Sequence, residues 1–326
     1  MSAASSEAIA ASSKLFNSIN TSILNAQGFR GYYQYPDIHD NTIVFTSEGD
    51  IWKVSVKGGL AQRLTTHPEE ERYANISPDG KVLAYSASYE GPIEVYTMPI
   101  NGGITTRWTY ESESSSVTNW SPDNKIIYQT QSYNKLPDEQ LVTIDLKTKV
   151  KRVVPLYQAS EGTQNEKGEW IFIRPSDHGD AAKRYVGGTA RQIWKFDGKN
   201  EAVKLTNNYD GESHKPMWYN GRVFFISDRD GIMNIWSMDS NGNDLEQHTK
   251  HDEYDVRYAN VHNGKIVYQH AADIWLLDIS TGNYNRVNIS LASDLDQLRE
   301  KWDENPSRYI TSVSSDPNGN KIVVTA

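Results

Sequence analysis

The stretch Tyr73-Ala74-Asn75-Ile76-Ser77-Pro78-Asp79-Gly80 decides the fold. Its proline presets φ for a turn, and its glycine supplies the positive φ that closes a tight hairpin. Val117-Thr118-Asn119-Trp120-Ser121-Pro122-Asp123-Asn124 repeats the pattern, and Ser315-Asp316-Pro317-Asn318-Gly319 echoes it. Lys215-Pro216-Met217-Trp218-Tyr219-Asn220-Gly221 and Tyr258-Ala259-Asn260-Val261-His262-Asn263-Gly264 reach the same turn through Asn-Gly, a strong hairpin signal. Together with Asn41 and Gly168, these turns recur at intervals of 39, 44, 44, 53, 43 and 55 residues. A period of this size, holding several short strands and no helical pattern, predicts a β-propeller.

Each turn leads into an apolar run: Ile43-Val44-Phe45, Val82-Leu83-Ala84-Tyr85, Ile126-Ile127-Tyr128, Trp170-Ile171-Phe172-Ile173, Val223-Phe224-Phe225-Ile226 and Ile266-Val267-Tyr268. Continuous β-branched and aromatic runs mark strands buried on both faces, as between neighbouring blades. An alternating strand follows, with Trp52, Trp194, Trp236 and Trp275 in register in four of the units. A short fourth strand then ends in Leu64-Thr65, Trp108-Thr109, Leu205-Thr206 or His248-Thr249. The fold expected is all-β, a six-bladed propeller of four-stranded antiparallel blades. A charged, Gly-rich insertion, Arg174 to Gln192, interrupts the fourth blade.

The expected boundaries are a disordered or weakly helical leader at 1–28, the propeller at 29–290, a linker at 291–307 and a truncated second propeller at 308–326. Asp316 to Val324 reads as a fresh turn and strand without the rest of a blade. A lone two-stranded piece is marginally stable, so a longer polypeptide is expected. The Ser-, Ala- and Asn-rich leader lacks the cationic start and apolar run of a signal peptide. No segment approaches the ~20 apolar residues of a membrane span.

Nine Trp and nineteen Tyr against seven Phe suit packing in which one end of a ring meets polar backbone. The net charge of −9, with no Lys/Arg stripe, excludes a duplex nucleic-acid binder. With no Cys there is no disulfide, thiolate metal site or Cys nucleophile. That fits a cytoplasmic setting, with periplasmic export as the alternative.

The chemistry-bearing residues read mostly as turn and loop. No Gly-x-Ser-x-Gly elbow occurs, and Ser5-Ser6, Ser12-Ser13 and Ser112–Ser116 lie in polar stretches. His39-Asp40 falls in a hairpin turn, His178 in the insertion, and His248 and His251 with Asp252 on a strand end and loop. No third ligand stands near those last in sequence, so no metal or cofactor is expected. Asp50, Asp273 and Asp228-Arg229-Asp230 read as caps that bond local backbone N–H groups. One set is a candidate for binding: Asp37, Asn75, Asn119, Met217 and Asn260 precede the apolar anchors Ile38, Ile76, Trp120, Trp218 and Val261. Strand alternation turns them away from the anchors. They would either line an axial channel and bond a passing peptide, or form polar ladders between strands.

Several stretches resemble the tricorn-type peptidases: Tyr35-Pro36-Asp37-Ile38, Ile43 to Val54, Gly58 to His67, Glu90 to Tyr96, and Tyr185-Val186-Gly187-Gly188 before Ile193-Trp194. The likeness runs from Gly28 onward. Ser-Pro-Asp-Gly and Ser227-Asp228-Arg229-Asp230-Gly231 are shared with TolB-type propellers. The resemblance implies the N-terminal six-bladed propeller of a cytosolic serine peptidase that degrades oligopeptides. In such proteins the propeller is a channel or filter, and the catalytic residues lie in C-terminal domains. No position here matches them, so this chain is expected to hold no catalytic residue. Oligopeptide substrates, downstream domains of the same polypeptide and homo-oligomerisation are the partners so implied. A TolB-like propeller that binds protein partners without catalysis is the alternative; a prolyl-oligopeptidase-type propeller is a third reading.

Overall fold

The computed structural model describes residues 30–175, 183–294 and 305–325. The leader expected at 1–28, and part of the 174–192 insertion, lie outside the described residues. Six sheets stand in a ring. Each contains four strands in sequence order, joined antiparallel. The first blade comprises Gln34–His39, Thr42–Ser47, Asp50–Ser55 and Gly59–Arg63. The innermost strands of the six blades are Gln34–His39, Glu71–Ile76, Ser115–Trp120, Ser160–Gln164, Ser213–Tyr219 and Val256–His262. Each inner strand touches the next, and the sixth touches the first, so the ring is closed.

The second strands carry the core. Ile43 to Phe45, Leu83 to Tyr85, Ile126 to Tyr128, Ile171 to Ile173, Val223 to Ile226 and Ile266 to Tyr268 are all at most 1% exposed. Their side chains point alternately into two neighbouring interfaces. The core is accordingly six clusters, one per blade interface. Val44 packs with Leu83 and Tyr85 between blades 1 and 2, for example, while Ile43 and Phe45 pack with Val267 and Ile274 of blade 6.

The terminal threonines have a structural reason. Oγ1 of Thr65, Thr109, Thr206 and Thr249 accepts the N–H of Ile51, Val95, Ile193 and Ile235 at 2.8–3.2 Å. Each thereby ties the short outer strand to the start of the third. The carboxylates expected as backbone caps do something else. Asp50 pairs with Arg63, Asp273 with Arg30 and Arg286, and Asp228 accepts from the Tyr209 hydroxyl at 2.8 Å. A third-strand start lies beside the outer-strand arginine, so the carboxylate finds a cation there rather than an amide.

Among the described residues, no blade strand is exchanged between the first and last blades. Instead Ile289–Leu291 adds to the outer edge of blade 1, parallel to Gly59 to Ala61. Tyr33 N donates to the Ala272 carbonyl at 3.1 Å, and Tyr33 Oη donates to Ile289 O at 3.0 Å. The chain separates into two compact units at 293/294. The second contains a 3-10 turn, Pro306–Tyr309, and an antiparallel hairpin of Ser312–Ser315 with Ile322–Thr325, both exposed.

Candidate axial binding pocket

All six inner strands carry a bulge at the same height, seen as a shift in register against the second strand. A bulge re-aims a side chain. In five blades a bulge residue has positive φ: Tyr35 (51°), Tyr73 (54°), Glu161 (48°), Lys215 (51°) and Tyr258 (46°). Left-handed backbone is uncommon for such residues and marks a functional constraint.

These side chains converge. The Tyr35 ring lies 4.5 Å from both the Tyr73 and Tyr258 rings, and those two are 6.2 Å apart. On the other side of the ring, the Lys215 N–H donates to Glu161 Oε2 at 2.5 Å. His214 Nδ1 is 3.6 Å from the same oxygen. Among the described residues no carboxylate comes within ion-pairing distance of the Lys215 ammonium, although its charge is felt by Glu161 and by Asp37 of blade 1.

Above the bulges opens a pocket of about 710 Å³, floored by Tyr73, Glu161, Lys215 and Tyr258. Its wall is charged with both signs. Arg191 Nε bonds Glu212 Oε2 at 2.6 Å, and Lys183 Nζ lies 2.7 Å from Asp255 Oδ2. Burial raises the Glu161 carboxyl, but His214, Arg191 and Lys215 more than offset it and hold it at about 2. Glu161 is therefore an anion at neutral pH. Burial lowers the Lys215 ammonium, opposed by Glu161 and Asp37. Burial pushes the Tyr73 and Tyr35 phenols above their ordinary range, so both stay neutral. The arrangement offers fixed cations, fixed anions and neutral aromatic faces around one opening. That combination suits a zwitterionic chain such as a peptide.

The residues singled out in sequence sit beside this floor and do not line the pocket. Asp37 is buried and accepts the Ile76 N–H of blade 2 at 2.6 Å, with burial raising its carboxyl to about 6. Asn260 Nδ2 donates to Pro36 O of blade 1 at 3.0 Å. Asn75 Nδ2 donates to Tyr73 O, while the Asn75 carbonyl accepts from Trp120 Nε1 of blade 3 at 2.9 Å. Asn119 Nδ2 reaches Thr163 Oγ1 of blade 4 at 3.5 Å, and Met217 is buried. The bulge residues were missed because period-two alternation places Tyr35, Asp37 and their counterparts on one face. The signal available was Tyr-Pro, Tyr-Ala, Glu-Gly, Lys-Pro and Tyr-Ala at matching positions.

Comparison with known proteins now bears on this geometry. The tricorn protease N-terminal beta propeller domain matches residues 30–283. Tricorn protease homolog 1 of Streptomyces coelicolor is 28% identical over 289 residues, covering 87% of this chain and 27% of that protein. The tricorn protease homolog of Saccharolobus solfataricus is 28% identical over 315 residues, covering 91% of this chain and 28% of the relative. The crystal structure of the tricorn protease superposes with a TM-score of 0.76 at 22% identity, over 91% of this chain and 30% of that one. The chain thus spans little more than a quarter of the length of these relatives. Its six-bladed ring belongs to the tricorn protease N-terminal β-propeller family.

Proposed function

We propose that this chain is the peptide-conducting propeller of a serine peptidase that degrades oligopeptides, and that it supplies no catalytic residue itself. The observation that carries this reading is the ring of bulges, which sets Tyr73, Tyr258, Glu161 and Lys215 along one axial opening, with Tyr35 packed against both tyrosines. A peptide entering the pocket would set its carboxylate against Lys215 and its backbone against the tyrosine faces. Asp37, Asn75, Asn119 and Asn260 are, in this reading, the polar lining behind the constriction, held in place by their inter-strand bonds. Chemistry would occur in further domains of the same polypeptide or assembly, in the cytoplasm, with copies of the whole associating as a homo-oligomer.

The test uses the full-length protein. Replacing Tyr35, Tyr73 and Tyr258 together by Ala removes the rings that meet between blades 6, 1 and 2 and leaves the apolar clusters between those blades intact. Turnover of long oligopeptides should change severalfold while turnover of a two-residue reporter stays constant. Equal rates for both substrates in the folded variant would reject a conducting role.

A further inference from the structure

At the ends of the inner strands of blades 1 and 6, two histidines occupy equivalent positions. His39 precedes the turn Asp40-Asn41, and His262 precedes Asn263-Gly264. Their rings lie 4.1 Å apart at 30°. His262 Nε2 is 3.2 Å from Asp40 Oδ1, and His39 Nδ1 is 3.6 Å from Asp40 Oδ2. One ligand atom from each residue falls within 4.8 Å of the others. The two histidines are partly buried and the carboxylate is exposed.

The hydrogen bonding fixes which atoms face inward. His39 Nε2 lies 3.1 Å from the Pro78 carbonyl, which can only accept, so the ring proton sits on Nε2. With Nε2 so used, Nδ1 is the ring nitrogen that faces Asp40 Oδ2, 3.6 Å away. A ring whose far nitrogen donates to a backbone carbonyl is also the usual second shell of a metal-bound histidine.

Two features of the backbone preserve the arrangement. A Cβ on Gly80, in the turn of blade 2, would stand 2.7 Å from His39 Cε1, so the glycine leaves room for the ring. Asp40 adopts a φ of 49°, and the matching turn positions of blades 5 and 6 hold Asn220 (48°) and Asn263 (45°). Asparagine suits that conformation, and blade 1 carries an aspartate there, beside two imidazoles.

We propose that His39, Asp40 and His262 bind a late first-row divalent cation, Zn²⁺ foremost, at the seam between the first and last blades. Two imidazoles and one carboxylate match that class and not Mg²⁺ or Ca²⁺, which take oxygen ligands. A tetrahedral shell at about 2.0–2.1 Å sets its donors roughly 3.3 Å apart; here the two histidines approach different oxygens of Asp40, at 3.2 and 3.6 Å, and with one ligand atom from each residue within 4.8 Å of the others the ion would draw the donors closer together. Three protein donors leave a position open to solvent. The ion would cross-tie the ring where it closes. This site stands apart from the axial pocket and does not depend on the peptidase reading.

The test is isothermal titration of the untagged chain with ZnCl₂, joined to anomalous diffraction from a Zn²⁺-soaked crystal. One ion per chain is expected, with its anomalous peak between His39 and His262. Asp40→Asn keeps the turn residue of blades 5 and 6, so the fold should survive. It should weaken binding beyond the ~10–100-fold typical of losing an outer-shell partner. His262→Ala should do the same, and Zn²⁺ should raise the melting temperature of the parent chain but of neither variant. A peak elsewhere, no saturable binding, or undiminished affinity in folded Asp40→Asn would each overturn the site.

Discussion

Asn260 of the last blade donates a side-chain hydrogen bond to the carbonyl of Pro36 in the first, 224 positions earlier in the chain, at 3.0 Å. Beside the Ile289–Leu291 strand that adds to the outer edge of blade 1, polar ties of this kind hold the ring shut together with the apolar cluster at the seam. Asn260 is buried, and truncating it orphans a carbonyl that water does not reach. Asn260→Ala should therefore cost about 1–3 kcal/mol. Urea denaturation should show a lower midpoint with an unchanged slope, and a midpoint equal to the parent's would show that the tie is dispensable.

Glu71 makes the stability of blade 2 depend on pH in an unusual direction. It is fully buried, accepts from Tyr89 Oη at 2.6 Å and Thr65 Oγ1 at 3.0 Å, and lies near Asp50. Burial, with Asp50 adding to it, raises its carboxyl from 4.5 to about 8. The folded chain then holds a proton that the unfolded chain releases, so stability falls as pH rises from about 4.5 through about 8. Glu71→Gln removes this slope. Its melting temperature relative to the parent should climb steadily from pH 5 to pH 9; parallel curves would mean that Glu71 is already ionised in the fold.

Glu161 works with the opposite sign. Its carboxyl is held at about 2 against an ordinary 4.5, so its contribution is complete above pH 4.5 and disappears as pH falls towards 2. Glu161→Gln retains an acceptor for the Lys215 N–H but leaves Lys215 and His214 without the charge. Losing the charge from the hydrogen bond to the Lys215 N–H in this way should cost about 1.5–3 kcal/mol at neutral pH. The difference between variant and parent should shrink on acidification below pH 4. A constant difference across that range would place the stabilisation in packing and not in charge.

How far the fold could be read from residues follows from what each signal encodes. The second strands announced themselves because a strand between two blades must be apolar on both faces, and Ile43-Val44-Phe45 has no other use. The terminal threonines were visible as a repeat, although their reason, an Oγ1 accepting a third-strand N–H, needs the neighbouring strand in view. The tryptophan register was real but not uniform. Trp52 is fully buried and its Nε1 bonds Ser47 O at 2.9 Å, whereas Trp194, Trp236 and Trp275 are partly buried with no partner for theirs. The axial residues were illegible because alternation assumes an unbroken pleat. The bulges at Tyr35, Tyr73, Glu161, Lys215 and Tyr258 break it, and the pairs that mark them, Tyr-Pro, Tyr-Ala, Glu-Gly and Lys-Pro, are too unlike one another to read as a single motif. His39 and His262 lie 223 residues apart in the chain, and only the ring's closure makes them neighbours.

Gly162 provides a sharp test of how tightly the bulge of blade 4 is fitted. It follows Glu161, and its carbonyl accepts from Thr118 Oγ1 of blade 3 at 3.1 Å, which fixes its position. A Cβ there would stand 2.2 Å from Leu141 Cδ1, inside the cluster between blades 3 and 4. Leu141 is fully buried in that cluster beside Ile127 and Phe172. Gly162→Ala should therefore destabilise by about 1–3 kcal/mol through overpacking. Leu141→Ala alone should cost about 2–5 kcal/mol by leaving a cavity. Combined, the two changes relieve each other, so the double variant should be more stable than the sum of the single losses by at least about 0.5 kcal/mol. Strict additivity would mean that the added methyl finds room elsewhere and that the bulge is looser than its backbone position implies.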